Sequence, residues 1–187
     1  MPRKQKLTHQ EFCLLRDRAP LEVNSREAGR LVNDAALAIA RLARDNPRIA
    51  YAWSGGKDSV VLDLVARMAG VKHCMLGLCD LEYPAFLRWV QEHGPLGLEI
   101  VKVPGVDYGW LVAHPQMLFP ASSRLGAIWY RTVQHAAQAA YFRQRRLDVL
   151  LLGRRLQDGN FCGPAAAGYD YTTRGCLLYT SDAADEL

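Results

Sequence analysis

Ser54-Gly55-Gly56-Lys57-Asp58-Ser59 stands between two apolar stretches and decides how the chain is read. Before it runs Ile49-Ala50-Tyr51-Ala52-Trp53, apolar throughout, as a buried parallel strand is. After it runs Val60-Val61-Leu62-Asp63-Leu64-Val65-Ala66-Arg67-Met68, with apolar residues at helical spacing. A tight turn from strand to helix gathers backbone N–H groups and the positive end of the helix dipole at one point, which can hold a phosphate. Gly55 and Gly56 lack a Cβ, so they can take positive φ and bring the backbone close to a ligand. Lys57 adds a mobile point charge, and Ser54 and Ser59 offer hydroxyl donors. Asp58 falls in the first helical turn, where a carboxylate suits the dipole; it could instead hold Mg²⁺ or orient Lys57. The spacing G-x-x-x-x-G-K-[ST] is absent, so this is not a Walker A loop.

Outward from the loop, strand-like and helix-like segments alternate. Lys57–Ala69 reads as a helix ended by Gly70, Lys72–Cys79 as a strand, and Tyr83–His93 as a helix stopped by Gly94-Pro95. Leu98–Val103 reads as a third strand, Ile128–Arg146 as a long Ala-rich helix and Leu147–Leu152 as a fourth strand. Ahead of the first strand, Glu22–Arg44 reads as a helix with an apolar face at Leu31, Ala35, Ala38, Ile39 and Leu42, stopped by Asn46-Pro47. A short helix is expected around Gln10–Arg18, irregular chain over 106–126 and a Gly-rich loop over 153–175. This alternation with short connections predicts an α/β fold, an open and mostly parallel sheet flanked by helices. The expected organisation is a basic segment 1–24, one domain over 25–175 and a tail 176–187.

Ser54–Ser59 resembles the PP-loop of the ATP pyrophosphatase superfamily, whose signature is S-G-G-x-D-S. The lysine form and the strand before it look most like the phosphoadenosine phosphosulfate (PAPS) reductase family. The resemblance covers roughly residues 25–175. It implies a Rossmann-like fold of the adenine nucleotide alpha hydrolase type. It also implies an adenine nucleotide ligand, ATP or PAPS, with Mg²⁺ accompanying ATP. After the fourth strand, Gly153-Arg154-Arg155-Leu156-Gln157-Asp158 resembles the family's G-x-R-R-x-x-[DS] element, with the arginine pair directly after the glycine here. Arg154 and Arg155 would clamp phosphate or sulfate from the sheet edge, with Asp158 beside the substrate. Asp80 and Glu82, after the second strand, could meet a ribose or a metal, or simply supply charge at a strand end and helix start. Arg131 matches a position where the family often has a basic residue that meets substrate; a solvent-facing helix residue is the other reading, and the favoured one.

The sequence also departs from the family. Related reductases of the adenosine phosphosulfate type carry an adjacent cysteine pair for an iron–sulfur cluster before the long helix. The matching stretch here, Ser122-Ser123-Arg124-Leu125-Gly126-Ala127-Ile128, has no cysteine, so no cluster is expected. Cys74 and Cys79 lie on a strand without metal-ligand spacing, and Cys162 reads either as a reactive thiol near the site or, the favoured reading, as a passive loop thiol. His73, His93, His114 and His135 show no metal-type spacing.

The chain has 187 residues, half of them hydrophobic, a net charge of +4 and five cysteines. An odd, scattered cysteine set suits a reducing compartment, so a cytoplasmic protein is expected. No apolar run is long enough for a membrane span, and no apolar stretch follows the basic start as in a signal peptide. The charge suits anionic ligands and does not by itself establish a nucleic-acid partner. Residues 176–186, Cys-Leu-Leu-Tyr-Thr-Ser-Asp-Ala-Ala-Asp-Glu, read in one frame as a translated transposase-type sequencing adapter. Natural coding sequence is therefore expected to end near Gly175, leaving the domain truncated.

Three functions follow as expectations. One is adenylyl transfer from ATP with release of pyrophosphate. Another is thiol-dependent chemistry on PAPS, which needs a nucleophilic cysteine and a thiol reductant protein. The third is a nucleotide-binding component of a phage or DNA-modification system whose partner supplies the chemistry.

Overall fold

The computed structural model describes residues 8–153 and the two-residue strand Leu178–Tyr179. Its strands are β1 (Ile49–Ala52), β2 (His73–Leu78), β3 (Leu98–Lys102), β4 (Val149–Leu151) and β5 (Leu178–Tyr179). They form one parallel sheet in the order β3-β2-β1-β4-β5. Tyr51 pairs with Cys74 on one side and with Leu151 on the other, so β1 is central. β5 lies within the segment read from sequence as a non-native tail. An open strand edge accepts any extended chain, so this pairing reports the free edge of β4 and leaves the segment's origin untouched.

Alternation along the strands divides the core into two layers. Ile49, Tyr51, Trp53, Cys74, Leu76, Val149 and Leu151 face α2 (Ser25–Asp45), α3 (Lys57–Met68) and α4 (Pro84–His93). Ala50, Met75, Leu150 and Leu152 face α7 (Ala136–Gln144) through Ala137, Tyr141 and Phe142. With both faces covered, β1 and β4 read as continuous apolar runs and β2 nearly so, whereas the edge strand β3 is only partly buried and carries Glu99 and Lys102. Gly77 lets α7 come close: a Cβ there would stand 2.5 Å from the Ala137 Cβ.

Capping fixes the helix starts. Asn24 accepts the Glu27 N–H at 3.1 Å at the head of α2, where Arg30 also bridges Glu27 and Asp34. The buried face of α2 is Leu31, Ala35, Ala36 and Ile39, with Ala38 exposed in place of the expected contact. The N-terminal helix α1 (His9–Glu22) is longer than expected. A capping box of Thr8 and Glu11 starts it, and it buries no residue.

The stretch 106–126 is more ordered than its composition suggested. Asp107 caps α5 (Tyr108–Ala113) by accepting the Trp110 N–H at 2.9 Å, and a 3-10 turn follows at Pro115–Met117. Ser122 caps α6 (Ser123–Tyr130) by accepting the Leu125 N–H at 3.2 Å. Between α6 and α7 lies a π-helical segment, Arg131–His135, so the long helix expected over Ile128–Arg146 starts earlier and carries a bulge. Among the described residues, no helix is long and apolar enough to cross a membrane.

Candidate functional site

The loop leaves β1 and enters α3 as the sequence indicates, with Gly55 at φ +74° and Gly56 as the helix N-cap at φ −71°. Gly56 offers no side chain to the helix start, so the first-turn amides of α3 keep their donors open toward the loop. A ring wall stands behind Gly55. Trp53 and Trp89 stack at 5.6 Å with planes 3° apart, and a Cβ on Gly55 would lie 2.5 Å from Trp89 Cζ3. The positive φ and this close approach both require glycine.

Ser59 holds the loop together. Its hydroxyl donates to the Gly56 carbonyl at 2.8 Å and accepts from the Ser54 N–H at 3.1 Å and the Ser54 hydroxyl at 3.3 Å. One donor and two acceptor positions fill a hydroxyl's capacity, and Ser59 is buried. From sequence, both serines are expected to offer hydroxyl donors. Here both hydroxyl hydrogens are already committed inside the loop, so neither serine has a hydroxyl donor to spare for a ligand.

Lys57 Nζ donates to Asp58 Oδ1 at 2.5 Å. The lysine side chain is 75% exposed, so the pair contributes little stability, about 0–1 kcal/mol, and Lys57 can swing to an anion at small cost. Asp58 thus pairs with the neighbouring Lys57 at the head of α3.

Beside the loop, at the carboxyl ends of the strands, lies a cavity of about 160 Å³. Its walls come from Ala52–Ser54 and Ser59, from Met75 and Gly77 of β2, and from Leu152 and Gly153 just after β4. The remaining wall is Tyr130, Gln134 and Gln138, on and beside the π segment. In the order β3-β2-β1-β4-β5, successive strands run outward from β1 on one side and β4 sits on the other. The cavity therefore occupies the switch point of an open α/β sheet, where such sheets take ligands. Gly153 closes the corner. A Cβ on it would lie 2.8 Å from the Asp58 carbonyl oxygen and 3.2 Å from the Ser59 nitrogen. The chain thus leaves β4 against the first turn of α3. Arg154, Arg155 and Asp158 lie outside the described residues, as does Cys162.

The other expected residues stand apart from the cavity walls. Asp80 is ion-paired with Lys102, and Glu82 faces the Cys79 thiol, with Sγ 3.9 Å from Oε1. Arg131 is exposed at the first position of the π segment. Burial, with Arg131 adding to it, holds the His135 imidazole below its usual range. Burial also pushes the Cys74 and Cys79 thiols up, away from thiolate character. Among the described residues, no three His, Cys, Asp or Glu side chains gather as a metal site.

Tyr130, Gln134 and Gln138 were not found from the sequence. They are brought to the loop by tertiary packing, and a π segment adds a residue to the turn and shifts the face that follows. No periodic count of the sequence carries that shift.

An open parallel sheet of this order, with a glycine-rich loop and an uncapped helix at its switch point, defines the chain as an α/β protein of PAPS reductase-like fold. The structure is similar to a crystal structure of phosphoadenylyl-sulfate (PAPS) reductase from Candida auris, a phosphate complex. The TM-score is 0.52 at 15% sequence identity, and the match covers 94% of this chain and 80% of that one. No family model matches the chain, and no curated protein does.

Proposed function

We propose that this protein binds an adenine nucleotide, with the phosphates on the Ser54–Ser59 loop and the rest of the ligand in the switch-point cavity. The observation that carries this is the uncapped start of α3, with the mobile Lys57, at the rim of that cavity. Open amides and a lysine stabilise negative charge wherever it develops on the phosphates. Arg154 and Arg155 follow Gly153 directly in sequence and are proposed as a second phosphate or sulfate clamp.

For the reaction, we favour adenylyl transfer from ATP with loss of pyrophosphate. Mg²⁺ usually binds through one or two carboxylates plus substrate phosphates, and Asp58 is the carboxylate at the loop. It would arrive with the nucleotide and neutralise phosphate charge, while Lys57 exchanges Asp58 for a phosphate oxygen. Chemistry on PAPS is the second reading. It is favoured by the fold shared with the Candida auris reductase, whose structure was solved with phosphate. That chemistry needs an exposed, activated thiol, a role for which the buried Cys74 and Cys79 are unsuited.

Incubating the protein with ATP and Mg²⁺ and measuring AMP and pyrophosphate tests the preference. The first reading expects AMP and pyrophosphate in equal amounts, with water taking the adenylyl group when no other acceptor is supplied, and neither product from Lys57→Ala. Sulfite release from PAPS in the presence of a dithiol, with no pyrophosphate from ATP, would overturn it in favour of the second.

A further inference from the structure

The cavity contains a side chain whose orientation is set by the backbone. The last ladder bond from the β1 side to β2 is the Trp53 N–H to the Met75 carbonyl, at 2.8 Å. Two residues further along β2, the Gly77 carbonyl faces the same edge, since strand groups repeat with period two. There the β1 chain has already turned into the loop, and no strand residue is left to donate. Gln134 Nε2 donates to this carbonyl instead, at 3.2 Å. A carbonyl only accepts, so the nitrogen end of the amide must face it. The other end, Oε1, lies 3.4 Å from the position of a Gly77 Cβ and has no hydrogen-bond partner among the described residues.

Both Gly77 and Gln134 are cavity walls. The pocket therefore combines apolar surface from Ala52, Met75 and Leu152 with the side chain of Gln134, whose amide nitrogen is held by the Gly77 carbonyl. A flat group with apolar faces and a hydrogen-bond donor on its edge matches this lining. We infer that Gln134, anchored on the open edge of β2, is a specificity-determining residue that selects an amino-bearing base over its oxo counterpart. The inference rests on the nucleotide reading above and adds which edge of the base is read. An oxo group at that position would set acceptor against acceptor and leave Oε1 unsatisfied.

The test uses the full chain with three probes: ATP, its 6-oxo analogue inosine triphosphate, and inorganic tripolyphosphate, which has no base. Equilibrium affinities are measured for the wild type, Gln134→Leu and the closely volume-matched Gln134→Met. The wild type is expected to bind ATP roughly tenfold or more tighter than inosine triphosphate. Either folded variant should bring the two nucleotides to similar affinity and leave tripolyphosphate unchanged. Equal wild-type affinity for the two nucleotides would overturn the role of Gln134 while leaving the phosphate loop intact. So would a preference that survives in a folded variant. If neither nucleotide nor tripolyphosphate binds the wild type, the nucleotide reading fails and this inference with it.

Discussion

Gly55→Ala is expected to destabilise the domain by about 2–5 kcal/mol and to abolish anion binding. Two effects add. The backbone sits at φ +74°, where a Cβ costs about 1–2 kcal/mol. The new methyl would also stand 2.5 Å from Trp89 Cζ3, an overpacking worth about 1–3 kcal/mol. Trp89 cannot yield easily. It stacks on Trp53 at 5.6 Å and on His93 at 5.1 Å, and Phe86 lies 6.4 Å away. Gly56→Ala is the control. Its φ is −71° and its nearest neighbour, Ser54 Oγ, is 3.5 Å away, so the cost should stay within about 1 kcal/mol. Urea unfolding of the two variants checks this; a Gly55→Ala protein as stable as Gly56→Ala would contradict the packed-loop geometry.

Gly153→Ala should have the second-largest effect, through space alone. All three nearest atoms are backbone: the Asp58 oxygen at 2.8 Å, the Asp58 carbon at 2.9 Å and the Ser59 nitrogen at 3.2 Å. None can rotate away, so either the end of β4 or the first turn of α3 must shift. We expect a loss of about 1–3 kcal/mol in stability. Nucleotide affinity should fall about tenfold or more even where the fold persists, because the displaced turn carries the amides proposed to hold the phosphates. Denaturant titration and ligand titration on the same preparation separate the two. Unchanged affinity in the variant would show that the β4 exit and the loop are not coupled.

The sheet and the loop were legible because their signals are local. A buried parallel strand has to be apolar on both faces, which marks Ile49–Trp53, Lys72–Cys79 and Leu147–Leu152; the edge strand Leu98–Val103, with Glu99 and Lys102, is marked instead by its bounding Gly and Pro, and all four lie within a few residues of their expected bounds. A Gly-Gly turn between strand and helix permits few conformations, and Gly55 adopts the positive φ that it allows. Legibility ended where side chains choose among partners. Ser59 could as well have met a ligand as the Gly56 carbonyl, and Asp80 a ribose as well as Lys102. Trp89 and Gln134 reach the site from helices distant in sequence, and nothing in the local pattern marks either one. Short capped helices such as α5 were hidden by the Gly, Pro and Ser content of 106–126, although Asp107 and Ser122 are ordinary caps.

The loop is proposed to hold the phosphates of an adenine nucleotide through its amides and Lys57. Calorimetric titration of the wild type and Lys57→Ala with ATP and with PAPS tests it most directly. Lys57 is largely exposed, so its loss should leave the unfolding transition in place. Saturable binding of at least one of the two nucleotides is expected, weakened about tenfold to a hundredfold in the variant. Equal affinity in wild type and variant, or no binding of either nucleotide by the folded wild type, would contradict it.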